Sequence, residues 1–110
     1  MNNFPYAYRN LQESFNELVP HLKRNGLKVP KPLRHRISYV TAKETSRELQ
    51  DCIIILKEDE SQMHNCMFLE QKLTKLLLER FIVDAEYFIN NIDREMAINI
   101  PFNQDAYLDN

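Results

Sequence analysis

The chain has 110 residues, a length that allows one domain at most. It contains a single Gly and no Trp, and the scarcity of Gly argues against most enzyme classes, because active-site turns and phosphate loops draw on Gly. Residues 1–43 carry a net charge of +6 and residues 44–110 one of −8, and this asymmetry predicts two surfaces for two partners. Apolar runs are too short to span a membrane, so we expect a soluble intracellular protein, nuclear or cytoplasmic.

A short N-terminal helix is predicted over residues 1–22. Pro5 suits the first helical position, and Pro20 predicts an end or a kink near Leu18. Asn25-Gly26 then supplies a stop signal for any last turn. The apolar residues that recur at steps of three and four, and so share one face, are Tyr8, Leu11, Phe15, Leu18 and Leu22.

A basic segment with two prolines follows at residues 23–40 and contains no acidic residue. Residues 27–32 are predicted to be an extended connector, because a residue before proline avoids the helical region. A short helix beginning at Pro32 would place Leu33, Ile37 and Val40 on one face, surrounded by Arg34, His35 and Arg36. An apolar ridge flanked by Arg favours a hydrophobic protein groove with an acidic rim over a phosphate backbone.

A helical hairpin is predicted over residues 41–98, followed by an acidic tail at 99–110. Thr41 and Glu44 have the spacing of a capping box, and Asp59 with Glu60 on the apolar stripe favours a turn near residues 57–61. The next helix, 61–97, would be about 54 Å long, more than two helices of about 15 and 16 residues cover. We therefore expect it to pack on helices of a partner, through Leu69, Leu73, Leu77, Phe81, Phe88 and Ile92.

Metal ligation and catalysis have no convincing residues in this sequence. His64, Cys66 and Cys52 lack the paired spacing of a closed zinc site, and the two cysteines are expected to be small buried hydrophobes. Asp84 and Glu86 point to different faces of a helix, so they do not form a carboxylate pair suited to acid-base catalysis. We expect neither a cofactor, a metal nor an enzymatic activity.

The sequence KPLRHRI, residues 31–37, resembles the start of the helix by which the fourth core histone binds WD-repeat histone chaperones of the RbAp type. The histone segment reads Lys-Pro-Ala-Ile-Arg-Arg-Leu, so Lys31, Pro32 and Arg36 match, and Leu33 and Ile37 are conservative replacements. Arg34 departs from the pattern, because the histone has an apolar residue there. The match covers about seven residues, and the later helices do not resemble a histone fold.

With this element in a small, predicted helical protein, the chain resembles one family, the small third (Eic/Kis) subunit of the fungal centromere-licensing complex. The resemblance implies a nuclear, centromeric adaptor that occupies the histone-binding groove of the chaperone and joins it to a helical scaffold subunit for CENP-A deposition. Leu33 and Ile37 would then be buried anchors, Arg36 would meet the acidic rim, and Lys31 would add charge, with Pro32, Arg34 and Val40 completing the contact.

Two other functions fit the sequence. A nucleic-acid-associated subunit would use the basic segment for phosphate contacts, and its affinity would fall steeply with salt. A coiled-coil or tethering-complex subunit would bind through its helices alone, and its binding would survive deletion of residues 23–40.

Overall fold

The computed structural model describes residues 4–33, 42–63 and 66–92 of the chain. Within these ranges the protein is all-α, with helices α1 (Phe4–Arg24), α2 (Ala42–Ser61) and α3 (Leu69–Asn91), and without a strand. Helices α2 and α3 form the expected hairpin, and α3 packs on both other helices. The predicted fold class is therefore confirmed. The capping residue Thr41 and the tail at 99–110 lie outside the described residues.

Helix α1 continues through Pro20 to Arg24. Of the end or kink predicted near Leu18, the end therefore does not occur. Pro20 removes one backbone hydrogen bond, at a cost of about 3 kcal/mol in a helix interior. The apolar residues on either side of it, Leu18 and Leu22, are both completely buried, and their packing holds the last turn in place.

The predicted stop at Gly26 is confirmed. Gly26 has a φ of +67°, which an L-residue with a Cβ rarely adopts. Its amide donates to the Lys23 carbonyl at 3.1 Å, and the Leu27 amide donates to the Leu22 carbonyl at 3.0 Å. These two bonds are the Schellman pattern, which satisfies the last carbonyls of a helix.

The helical structure is interrupted between α2 and α3 as predicted, but the interruption comes later than residues 57–61. Helix α2 runs through Asp59 and Glu60 to Ser61, and α3 begins only at Leu69. As a result α3 has 23 residues and spans about 35 Å, close to the lengths of α1 and α2. The three described helices are thus similar in length. The apolar residues that remain exposed on α3 are therefore not explained by a helix that extends beyond its neighbours, as the sequence had suggested.

The core is formed where α3 contacts its two neighbours. The rings of Phe15 and Phe81 lie 5.8 Å apart between centroids, and those of Tyr8 and Phe88 lie 6.1 Å apart. Cys52 is buried as expected, and its burial raises the pKa of the thiol to about 12. The predicted apolar face of α1 is confirmed, since Tyr8, Leu11, Phe15, Leu18 and Leu22 are all buried.

Residues 27–33, which we call the strap, contain no helix or turn and run alongside α2. This agrees with the predicted connector but not with a helix that begins at Pro32. Pro30 and Leu33 are buried, whereas Lys31 and Pro32 are exposed. The strap therefore has an inner side in the core and an outer side in solvent.

Candidate partner-binding site

The face of α3 that points away from α1 and α2 is apolar and exposed. Six residues at steps of four and three form this surface, which we call the outer stripe. The exposed fraction of its apolar residues ranges from 43% at Leu73 to 83% at Leu69. Helical residues at this spacing lie on one face and are typical of a surface that packs on another helix. The members of the outer stripe are Leu69, Leu73, Leu76, Arg80, Val83 and Tyr87.

Exposed apolar side chains are concentrated at this surface. Of the ten large hydrophobic residues that are exposed in the described ranges, seven lie between Met67 and Tyr87. Met67 and Phe68 precede the first turn of α3 and extend the apolar surface beyond its N-terminal end. Single exposed apolar residues are common on proteins, but contiguous patches usually mark an interaction site.

The scaffold-binding residues predicted from the sequence divide between the two faces of α3. Leu69 and Leu73 lie on the outer stripe, while Leu77 and Ile92 are partly buried at the edge of the core. Phe81 and Phe88 were expected to contact a partner, and this is wrong: both are buried inside the chain. The sequence prediction also missed Leu76, Val83 and Tyr87, although their spacing from Leu69 contained the signal.

The strap is held to α2 by two polar contacts of Lys28. Its backbone amide donates to Asp59 Oδ1 at 3.1 Å, and its Nζ lies 2.6 Å from Glu58 Oε1. The hydrogen bond with Glu58 raises the pKa of Lys28. Burial raises the pKa of the Asp59 carboxyl, whose Oδ2 atom is buried without a hydrogen-bond partner among the residues described. The hydrogen bond from the Lys28 amide explains how the acidic residue Asp59 is tolerated on the apolar face of α2.

Leu33 lies in the protein's own core, with 7% of its surface exposed. It was predicted as an anchor for the chaperone groove, and in this conformation that prediction is wrong. Burial in the core removes this apolar side chain from water, which stabilises the folded chain. Lys31 and Pro32 are exposed as the prediction requires. The remaining predicted groove residues, Arg34, Arg36, Ile37 and Val40, lie outside the described residues.

A cleft of about 410 Å³ separates the strap from part of α2. Pro30, Lys31 and Pro32 form one wall, and acidic side chains of α2 form much of the other. Lys31 is exposed at the mouth of this cleft. The residues contributed by α2 are Glu44, Arg47, Glu48, Asp51, Cys52 and Ile55.

The C-terminal end of α1 is joined to the start of α3 by a polar network centred on Glu70. His21 Nδ1 donates to Glu70 Oε2 at 2.7 Å, and Arg24 Nε donates to Oε1 at 3.3 Å. The buried Thr74 hydroxyl contacts Glu70 Oε2 at 3.0 Å and accepts from Asn25 Nδ2 at 2.9 Å. These donors, His21 foremost, lower the pKa of Glu70. The network thus holds the first turns of α3 against the C-terminal end of α1.

Two carboxyl groups, Glu60 of α2 and Glu79 of α3, form a pair that joins these helices. A hydrogen bond with Glu79 raises the pKa of Glu60, because one of the two carboxyls must retain a proton to form it. This pair was not predicted from the sequence, because its members come from different helices. Within the described ranges no three His, Cys, Asp or Glu side chains are grouped as metal ligands would be.

The described helices include none with the combination of length and apolar composition that a bilayer-spanning helix needs. Comparison with known proteins found no matching family model, curated protein or solved structure.

Proposed function

We propose that this protein is a non-enzymatic adaptor that binds a helix of a scaffold subunit along the outer stripe of α3. The observation that carries the proposal is the second apolar face of α3, which remains exposed while the opposite face fills the core. Burying a Leu, Val or Tyr side chain of this kind contributes about 1.5–3 kcal/mol each to association before the entropic costs of binding.

The second partner that we propose is an RbAp-type WD-repeat histone chaperone, bound through the basic segment. Lys31 and Pro32 match the chaperone-binding helix of the fourth core histone and are both exposed. Because Leu33 is buried, Ile37 would provide the apolar contact with the chaperone, and Arg36 would meet the acidic rim of its groove. Joined in one chain, the two sites would tether the chaperone to the scaffold subunit in support of CENP-A deposition at centromeres.

The charges of the strap favour a protein partner over a nucleic acid. Lys28 already pairs with Glu58, and Lys31 lines a cleft whose opposite wall is rich in carboxylates. Lys28 would have to leave Glu58 to neutralise a phosphate, which weakens the electrostatic term that dominates nucleic-acid binding. An apolar groove with an acidic rim makes no such demand of Lys28.

Competition calorimetry tests the chaperone contact. The full chain is titrated into a recombinant RbAp-type chaperone, alone and saturated with a histone peptide containing Lys-Pro-Ala-Ile-Arg-Arg-Leu. We expect the peptide to block binding, and Ile37→Ala to weaken binding by more than about 1 kcal/mol, since anchors dominate interface energies. Lys28→Ala is the control and should change mainly the salt dependence.

Three results would contradict parts of this function. Binding that ignores the histone peptide would exclude the proposed mimicry of the histone. Affinity for DNA or RNA that falls steeply with salt and is unaffected by Ile37→Ala would favour a phosphate-binding subunit. Binding to a helical partner that is unchanged by deletion of residues 23–40, without any chaperone binding, would favour a tethering-complex subunit.

A further inference from the structure

Arg80 lies in the middle of the outer stripe, where every other member is apolar. Leu76 precedes it by four residues and Val83 follows it by three, so Arg80 occupies one of the positions that face a partner helix. The stripe extends from Leu69 to Tyr87, a length of about 27 Å. Arg80 is therefore a cation set within an apolar contact surface.

The guanidinium group of Arg80 has no partner among the residues that the structure describes. Across residues 4–33, 42–63 and 66–92 it makes no ion pair and no hydrogen bond, and the exposed Asp84, one turn further on, is not within ion-pair distance. Glu79 is adjacent in sequence but interacts with Glu60 on α2. Water solvates Arg80 as long as the stripe is uncovered.

Covering the stripe with an apolar helix would remove this water and leave a cation without a partner. An unpaired buried charge is strongly unfavourable, whereas a guanidinium group forms two parallel hydrogen bonds with a carboxylate. A partner that carries Asp or Glu opposite Arg80 is thus preferred over one that is apolar throughout, and strongly preferred over one with Lys or Arg there.

The same cation disfavours pairing between two copies of this chain. In a parallel pair in register, the two Arg80 residues would be directly opposite each other. In an antiparallel pair centred on the stripe they would be offset by only about 6 Å along the axis, because Arg80 lies two residues from the centre at Leu78. Neither arrangement supplies a carboxylate from the stripe itself.

We propose that the outer stripe selects a partner helix with a single carboxylate in its apolar face, opposite Arg80, and that Arg80 prevents self-association through this surface. The inference rests on the proposed function, since it names the chemistry of the helix that the adaptor binds. Arg80 is a specificity residue here: it rejects wrong partners and a second copy of the chain, while the flanking apolar residues provide the affinity.

Designed peptides supply the test. Two helical peptides of equal length carry Leu at every position facing the stripe except the central one, which is Glu in one peptide and Lys in the other. Fluorescence anisotropy with the full chain should show at least tenfold tighter binding of the Glu peptide, and Arg80→Glu should reverse the order. Leu76→Asp should abolish binding of both, whereas Ile54→Asp, at a residue equally exposed on α2, should not change it.

Analytical ultracentrifugation supplies the second readout. The wild-type chain should sediment as a monomer, and Arg80→Leu should self-associate at the same concentration, an effect that adding Leu76→Asp should reverse. Equal affinity for the Glu and Lys peptides, or a wild-type dimer that Leu76→Asp dissociates, would overturn the role of Arg80 and leave the helix-binding surface intact. Absence of binding by either peptide, with no effect of Leu76→Asp, would overturn the proposed function as well.

Discussion

The inner and outer faces of α3 have similar side chains but different surroundings. Phe81 on the inner face is 1% exposed and packs on Phe15, while Leu76 on the outer face is 63% exposed. Both faces follow helical spacing, so periodicity alone does not tell a core face from a docking face. The difference is set by which face the neighbouring helices reach, and each of the following substitutions probes that difference.

Phe81→Ala should have the largest effect. It removes a buried ring and leaves a cavity beside Phe15, which in protein cores costs about 3–5 kcal/mol in free energy of unfolding. Leu76→Ala is the matched change on the outer face and should cost less than about 0.5 kcal/mol, because the side chain is solvated in both states. Urea denaturation followed by circular dichroism measures both values. Equal losses would show that the outer face is also part of a folded core.

The contrast explains which parts of α3 could be predicted from sequence. Leu69 and Leu73 were assigned to a partner surface, and both lie exposed on the outer stripe. Phe81 and Phe88 were assigned to the same surface because apolar residues recur at helical spacing on both faces of α3, so spacing alone did not separate them. Only the tertiary contacts with α1 and α2 separate the two sets.

Local signals succeeded where the backbone decides and failed where packing decides. Gly26 was predicted as a helix stop because its left-handed φ is a property of one residue. Pro20 was expected to end or kink α1, but the helix continues to Arg24 because the burial of Leu18 and Leu22 outweighs the lost hydrogen bond. Leu33 was predicted to be an exposed anchor because its neighbours are basic and proline-rich, and nothing local indicates that it is buried in the core.

Leu33→Ala extends the comparison of inner and outer sides to the strap. Because Leu33 is buried in the core, its truncation should lower the free energy of unfolding by about 2 kcal/mol, near the lower end for a core Leu since 7% of its surface remains exposed. Lys31→Ala, on the outer side two residues away, should change it by less than about 0.5 kcal/mol. The same denaturation experiment decides, and a neutral Leu33→Ala would restore Leu33 as a free docking residue.

Glu70→Gln should have the smallest effect, one that depends on pH. Glu70 lies at the boundary between the two faces of α3, and its contacts with His21, Arg24 and Thr74 lower the pKa of its carboxyl below the ordinary value of 4.5. A folded-state pKa below the unfolded value stabilises the protein above the unfolded value, and this stabilisation is lost as the pH falls through the folded pKa.

Glu70→Gln should therefore lower the melting temperature at neutral pH, and the difference from wild type should shrink as the pH falls below 4.5. Glu13→Gln, which removes only a 3.9 Å ion pair with Arg9 within α1, is the matched control and should show a smaller change. Thermal denaturation across this pH range measures both. A difference that stays constant down to acid pH would mean that Glu70 acts through the shape of its side chain, and the charged network would then not hold α3 against α1.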